Sequence, residues 1–149
     1  MAIEVPGSDV FNQEIAVNVV GPSGINLMVV DCGTVRFSLQ GREPVREFVN
    51  DTVRFFVGRI YQPGTHRQSI ATASLAVVKN DGSWDFGGWA VFKTEARLDD
   101  ATGRVIVEAD IGVRDIDGFL LQIGYHVTTV AALPSTHTIS IPISFGTLQ

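Results

Sequence analysis

The chain has 149 residues, a formal net charge of −5 and a single cysteine, Cys32. A chain of this length most simply forms one domain, and its core is large enough to fold without metals or disulfides. Nucleic-acid binding usually needs a basic stripe, and the arginines of the first half are interleaved with acidic residues. No apolar stretch reaches the roughly 18 residues that span a bilayer, and the N-terminus has no signal-peptide pattern. We therefore expect a soluble, cytoplasmic, single-domain protein with neither a nucleic-acid nor a membrane partner.

The first half of the chain reads as short strands that follow a loose arm at residues 1–12. Apolar and polar residues alternate within each run, which is typical of strands with one buried face. The pair Cys32-Gly33 is expected to end one strand before the next begins. The predicted strands of this half cover residues 14–20, 25–31, 34–40, 45–49 and 53–61.

The second half predicts five longer strands joined by four turns. They exceed the usual strand length of about five or six residues, and long antiparallel strands must twist and coil. Glycines at 87, 88, 112 and 124 fall in mid-strand, where bends and bulges occur. This pattern predicts an all-β, single antiparallel barrel of eight or nine strands with a C-terminal meander; a two-sheet β-sandwich is the alternative. The predicted strands cover residues 69–80, 83–99, 104–115, 119–131 and 137–145.

The turns of the second half predict which strands pair and in which register, because a slip of one residue would move every side chain to the wrong face. Asp81-Gly82 suits a two-residue turn, residues 100–103 a four-residue loop, and residues 116–118 a three-residue loop with a glycine bulge. Pro142 indicates an edge or a bulge in the last strand. The predicted pairs are Ala73–Ala90; Leu98–Val105, Ala96–Val107 and Phe92–Ile111; Val113–Leu121, Ile111–Ile123 and Ala109–Tyr125; and Val127–Ile139 and Ile123–Ile143.

The same registers place a polar row on the other side of the predicted sheet. It reads Glu95, Glu108, His126 and Ser140, and directly opposed side chains have Cβ atoms about 4.5–5.5 Å apart. Two adjacent carboxylates beside a histidine are typical of acid–base chemistry, so Glu108 and His126 are the catalytic candidates. The alternative interpretation is a solvated row of charges without a cleft.

A second set of residues suggests recognition of a ring. Trp89, Arg114 and Gln122 are predicted to border a surface poor in side chains around Gly112 and Gly124, on which a sugar or an aromatic ring could stack. With Tyr125 of the same strand they form the predicted ligand-binding set. Arg114 over Trp89 would equally form a structural cation–π pair.

Three functional hypotheses follow from the sequence. The first is a binding module for a small apolar or ring-bearing molecule, since meander barrels often enclose one ligand. The second is a cofactor-free isomerase or cyclase with its site in the barrel lumen. The third is a structural assembly or adhesion module. The sequence predicts neither a cofactor nor a metal site, and it leaves room for a homo-oligomer.

Overall fold

The protein is all-β in its computed structural model, which describes residues 2–22, 24–38, 49–78, 88–114 and 120–133. The all-β prediction is confirmed, and no α-helix occurs in these ranges. A single 3₁₀ turn at Gly7–Asp9 precedes the second strand. The strands are β1 Ala2–Glu4, β2 Val10–Gly21, β3 Gly24–Ser38, β4 Val49–Val57, β5 His66–Val78, β6 Gly88–Asp99, β7 Arg104–Arg114 and β8 Leu120–Ala132.

The strands form two four-stranded sheets. The first sheet has the order β1-β4-β7-β6 and the second has the order β2-β3-β8-β5. All pairs are antiparallel except β1 with β4, which run parallel. Between the described strands, no pairing joins the two sheets into a closed barrel.

The core lies between the sheets and consists of alternate residues of the inner strands, as period-two patterning requires. Across the core, the ring of Phe55 on β4 packs against Tyr125 on β8 with centroids 5.0 Å apart. The largest fully buried side chains are Phe55, Ile111, Ile123, Val29, Val35, Val53, Val57, Val105, Val107, Val127 and Thr129. These side chains, all aliphatic or aromatic except for Thr129, fill the interior between the two sheets.

The β6–β7 hairpin confirms the predicted four-residue loop. Asp99 pairs with Arg104, and the predicted pairs Leu98–Val105 and Ala96–Val107 are present. Gly103 closes the loop with a φ of 68°, and its amide donates to the Asp99 carbonyl at 2.8 Å. The pair Phe92–Ile111 is wrong, because the register shifts between Val91 and Lys93 and Val91 takes the place opposite Ile111. Phe92 is the extra residue of this bulge, a feature that the alternation does not reveal.

The predicted pairing of β7 with β8 is wrong, because the two strands belong to different sheets. Ile111 pairs with Asp51 and Ile123 pairs with Val35, whereas Ala109 and Tyr125 pair with Val53 and Gly33. These residues belong to one core cluster but lie in different sheets. A buried alternating face fits either arrangement, since both place the same residues in the interior.

The pairing of β5 with β6 is likewise wrong where it can be compared. Ala73 pairs with Tyr125 and Ala90 pairs with Gly112, in separate sheets. The Asp81-Gly82 turn, the 116–118 loop, and the last predicted strand with Pro142 and its pairs lie outside the described residues.

Three local features of the first half differ from the expectations. The predicted break between residues 49 and 53 is absent, because β4 runs unbroken from Val49 to Val57. Within residues 1–12, β1 pairs with β4, and the Val5 amide donates to the Arg54 carbonyl at 2.9 Å. The Cys32-Gly33 pair does not interrupt the chain, because β3 runs unbroken from Gly24 to Ser38 between β2 and β8. Hydrogen bonding to neighbours on both sides holds the glycine in the strand.

Candidate functional site

The outer face of the first sheet carries connected ion pairs. Glu108 Oε1 lies 2.8 Å from Arg54 Nε and 3.1 Å from Arg97 Nη2. Lys93 Nζ lies 2.7 Å from Glu95 Oε1, and the Thr52 hydroxyl donates to Asp110 Oδ1 at 2.7 Å. We call this surface the charged face; its charged residues at paired positions are Glu4, Arg54, Lys93, Glu95, Arg97, Asp99, Arg104, Glu108 and Asp110.

The catalytic candidates Glu108 and His126 do not lie side by side, and their predicted adjacency is wrong. Glu108 lies on β7 opposite Arg54 and Glu95, in the first sheet. His126 lies on β8 opposite Cys32 and Thr72, in the second sheet. The predicted neighbours Glu95 and Glu108 are confirmed, but basic side chains accompany both carboxylates. The arrangement that would support acid–base chemistry is therefore not formed.

The predicted ligand-binding residues are only partly brought together. Trp89 and Arg114 lie on the adjacent strands β6 and β7 but are not paired, because Trp89 pairs with Val113 and Arg114 pairs with Gly88. Gln122 lies opposite Arg36 in the other sheet. Tyr125 is buried in the core, where its hydroxyl donates to Asn12 Oδ1 at 2.7 Å. The four residues therefore do not share one surface.

The outer face of the second sheet carries a patch of apolar side chains among uncharged polar ones. Ile15 pairs with Val30 and Val17 with Met28, and directly paired residues of antiparallel strands project to the same side. Ile15 is 62% exposed and Ile70, at the far edge of the sheet, is 60% exposed. We call this surface the apolar face; it comprises Ile15, Val17, Val19, Met28, Val30, Thr128, Val130 and Ile70.

The described paired positions around the apolar face carry little charge, and the exposed Arg67 lies beside them at the bulge of β5. At the described paired positions on this side of the sheet, the only permanently charged residue is Arg36, whose guanidinium lies 4.7 Å from the centroid of the Phe11 ring. The same positions also include one histidine, His126, and one cysteine, Cys32. A contiguous apolar surface of this kind is typical of a protein–protein interface.

A buried carboxyl group forms the most unusual polar feature of the interior. Asp31 on β3 is 1% exposed; Asn12 donates to its Oδ1 at 2.7 Å, while its Oδ2 has no hydrogen-bond partner among the described residues. Burial raises the pKa of Asp31, and the nearby charge of Glu14 adds to this, whereas Asn12, Arg59 and Arg104 oppose it. An unpaired buried carboxylate is costly, so the protonated form is favoured relative to a solvated aspartate.

Gly58, directly after β4, makes room for this carboxyl group. Its φ of 61° is a left-handed conformation, which glycine adopts without strain. A Cβ at this position would lie 2.4 Å from Asp31 Oδ2. Both the backbone conformation and the close approach therefore require glycine.

An open cleft of about 420 Å³ lies beside Gly58. Arg59 pairs with Glu14 along one side, and the Arg104 guanidinium lies 5.8 Å from the Phe56 ring centroid on the other. Arg104 has no carboxylate partner in the described part of the chain. The cleft is lined by Gly7, Val10, Asn12, Glu14, Phe56, Gly58, Arg59 and Arg104.

The sequence contained a signal for Asp31 that the prediction did not use. Ile25, Leu27 and Val29 mark the inward positions of this strand, and the same period assigns position 31 to the core. An acidic residue at an inward position indicates either a buried polar group or a functional one. Asn12 and Arg59 had no comparable signal, because their roles depend on how β2 approaches the end of β4.

Within the described ranges, no group of three or more His, Cys, Asp or Glu side chains could hold a metal ion. None of the helical structure in these ranges is long and apolar enough to cross a membrane. No protein-family model, no curated protein and no solved structure matches the chain. A function for this protein therefore has to be inferred from its own residues.

Proposed function

We propose that the chain is a structural assembly module that associates with further copies of itself through the apolar face. The observation that carries this proposal is the contrast between the two outer surfaces. One sheet presents nine charged residues at paired positions, whereas the other presents one arginine, several uncharged polar residues and a patch of isoleucine, valine and methionine. Monomeric proteins rarely expose contiguous apolar surface of this kind.

A second copy of the chain fits the apolar face by its charge. The protein has a net charge of −5, so two copies repel each other in most orientations. Contact between two apolar faces keeps the acidic residues of the charged face on the outside. It also buries no carboxylate, which removes the main desolvation cost of an interface.

The energy available from this face is large enough for stable association. Burial of one exposed Ile, Val or Met side chain contributes about 1.5–3 kcal/mol. Association costs on the order of 4–15 kcal/mol in translational, rotational and side-chain freedom. Ile15, Val17, Val19 and Ile70 are 40–62% exposed, so burying the remaining surface of these side chains on two copies would contribute about 6–12 kcal/mol, enough to offset this cost over most of its range.

The packed interior supports assembly over enclosure of a ligand. Phe55, Ile111, Ile123 and Tyr125 occupy the space between the sheets, where a barrel would have its lumen. We therefore favour a two-sheet sandwich over a ligand-filled barrel, and a function located on the outside of the sheets.

Matched lysine substitutions test the assembly proposal. Ile15→Lys and Ile70→Lys each place a charge on the apolar face, whereas Ile60→Lys makes the same change at a loop residue that is 71% exposed. Native mass spectrometry and sedimentation velocity should show a smaller assembly for the first two variants and an unchanged one for Ile60→Lys. An unmodified protein that stays monomeric, or equal behaviour of all three variants, would contradict the proposal.

The cleft supports a second candidate, the binding of a small ring-bearing carboxylate. Arg104 offers an unpaired guanidinium and Phe56 an aromatic face beside it. The volume of about 420 Å³ lies in the range of small-molecule sites. No observation favours the isomerase or cyclase hypothesis in the same way, since Glu108 and His126 lie in different sheets.

Benzoate and benzyl alcohol are suitable probes of this second candidate. Titrations followed by ¹H–¹⁵N NMR should show benzoate shifting amides around Gly58 and Arg104, with benzyl alcohol giving a much weaker effect. Arg104→Gln should abolish the benzoate response, and Arg97→Gln, on the charged face, should leave it intact. A response to benzoate that survives Arg104→Gln would contradict a carboxylate site at this position.

A further inference from the structure

The four edge strands of the two sheets differ in how they are protected from pairing with another chain. Exposed edges are normally shortened, bulged or charged, because their free N–H and C=O groups can template a new strand. Strand β1 has three residues. Strand β5 has two register shifts, and β6 has one shift and alternating charges between Lys93 and Asp99.

Strand β2 has none of these protective features. It is 12 residues long, contains neither proline nor lysine, and pairs with β3 without a register shift from Val10 to Gly21. Its one charged residue, Glu14, is engaged by Arg59. Among the described strands, β2 has a neighbour on one side only.

Residues 15–20 of β2 are exposed, and their apolar side chains project to both sides of the strand. Ile15, Val17 and Val19 project to the apolar face, with exposures of 40% or more. Val20, which projects to the opposite side, is 80% exposed. Contact with the apolar face alone would leave Val20 and the free backbone edge uncovered, so a second contact along the edge is indicated.

We propose that β2 pairs antiparallel with β2 of a second copy about a two-fold axis at Val17, joining two four-stranded sheets into one of eight strands. The inference rests on the proposed function, because it names one contact within the same self-association. A two-fold contact uses the same residues on both copies, as closed oligomers commonly do.

The register about Val17 is self-complementary. Val17 lies opposite itself, and Ile15 lies opposite Val19 of the second copy, so these three exposed apolar residues meet one another. Glu14 lies opposite Val20 of the second copy, so no like charges meet. An axis at Glu14 would oppose two carboxylates, and an axis at Ala16 would place Gln13 against Val19 on the apolar face. The axis at Val17 confines its polar–apolar pairs, Glu14 with Val20 and Ala16 with Asn18, to the opposite side of the strand.

The edge contact is separable from contact through the apolar face. Pairing of β2 strands extends the apolar face across two copies, and two such dimers can then stack face to face into a closed tetramer. Ile70 lies on β5, at the far side of the sheet from β2. Ile70→Lys should therefore reduce the tetramer to an edge-paired dimer rather than to a monomer.

Disulfide trapping tests this register. In a Cys32→Ser background, Val17→Cys places two thiols opposite each other, with Cα atoms about 4.5–5.5 Å apart, which suits a disulfide. Asp100→Cys in the same background is the control, since Asp100 is exposed in the loop after β6, away from both the edge of β2 and the apolar face. We expect Val17→Cys to form a covalent dimer at least about tenfold faster than Asp100→Cys under mild oxidation. The Ile70→Lys change should leave this cross-link intact.

Hydrogen exchange on the unmodified protein gives an independent readout. Amides of residues 15–19 should become more protected as protein concentration rises, because the edge N–H groups gain partners. Assembly without faster Val17→Cys trapping and without this protection would overturn the edge contact and leave the proposed function standing. Absence of any assembly would overturn both.

Discussion

The charged face and the apolar face are built from the same kind of strand, yet they present opposite chemistry to the outside. On the charged face, Arg54 and Arg97 accompany Glu108, and Lys93 accompanies Glu95, so the surface is satisfied in water. On the apolar face, Ile15 and Ile70 have no comparable partner in the described part of the chain. This difference is the basis of our proposal that a second copy covers the apolar face.

The edges of the two sheets repeat this difference. The edge strands of the charged sheet are short or bulged, whereas β2 of the apolar sheet is long and regular. The apolar face and the regular edge strand β2 belong to the same sheet. Two independent features therefore support the proposal that this sheet is the site of association.

Gly33→Ala is expected to have the largest effect on stability, because it separates the apolar edge strand from its sheet. A Cβ at Gly33 would lie 1.7 Å from the backbone oxygen of Phe11, so β2 must move away. We expect a loss of about 3 kcal/mol or more in the free energy of unfolding, measured by urea denaturation.

Gly112→Ala is the matched change in the charged sheet. There the new Cβ would meet the Phe92 ring at 2.4 Å, and a side chain can rotate aside. The cost should be about 1 kcal/mol. Equal costs for the two substitutions would mean that the Gly33 backbone contact does not hold β2 in place.

Asp31→Asn should raise stability at neutral pH by about 1–3 kcal/mol, because it removes a buried carboxylate with an unpaired oxygen. The pKa of Asp31 is raised by burial, so its contribution to stability is present below the unfolded pKa near 3.8 and is lost as pH rises through the folded pKa. The advantage of the variant should therefore grow as pH rises above about 3.8.

Thermal or urea unfolding across this pH range measures the effect. Asp100→Asn, in an exposed loop, is the control and should change stability little at any pH. A destabilised Asp31→Asn protein would show that the charged carboxylate is needed where it lies.

Glu108→Gln should reduce stability by no more than about 1 kcal/mol, since ion pairs that are partly exposed contribute little. The loss should exceed that of Glu95→Gln, because Glu108 is the more buried carboxylate and has two basic partners. Both losses should shrink at high salt, and neither substitution should alter the mass of the assembly. A smaller assembly in Glu108→Gln would contradict this expectation, because it would show that the charged face is part of the interface.

Salt should have the smallest effect on association. Raising NaCl from about 0.05 to about 0.5 M screens exposed charges but does not weaken apolar contacts. Sedimentation velocity should therefore give an unchanged or slightly larger assembly. Dissociation at high salt would indicate that ion pairs, not apolar side chains, hold the copies together.

The sequence predicted the faces of the strands better than their neighbours. The alternation places Val105 and Val107 on one apolar side of their strand, and both are buried. The predicted four-residue loop before them gives the observed pairing of β6 with β7. The pairing of Ile111 with Ile123 was wrong, although both are buried. Periodicity reports which side of a strand is apolar, and it cannot distinguish a partner in the same sheet from one across the core.

The predicted site depended on which strands are neighbours. Glu108 and His126 lie apart because β7 and β8 belong to different sheets. The burial of Asp31 could be predicted from the alternation of its strand, whereas the apolar face could not be predicted. Ile15 and Val17 alternate with polar residues as core residues do, and the sequence pattern of an interface strand equals that of a buried one. Only the positions of β3 and β8 show that these side chains face outward.

The central claim is that the apolar face is covered by further copies of this chain. Sedimentation equilibrium of the unmodified protein over a wide range of concentrations tests it most directly. The account predicts masses that are multiples of 16.1 kDa and rise with concentration. A single species of 16.1 kDa at every concentration would contradict it.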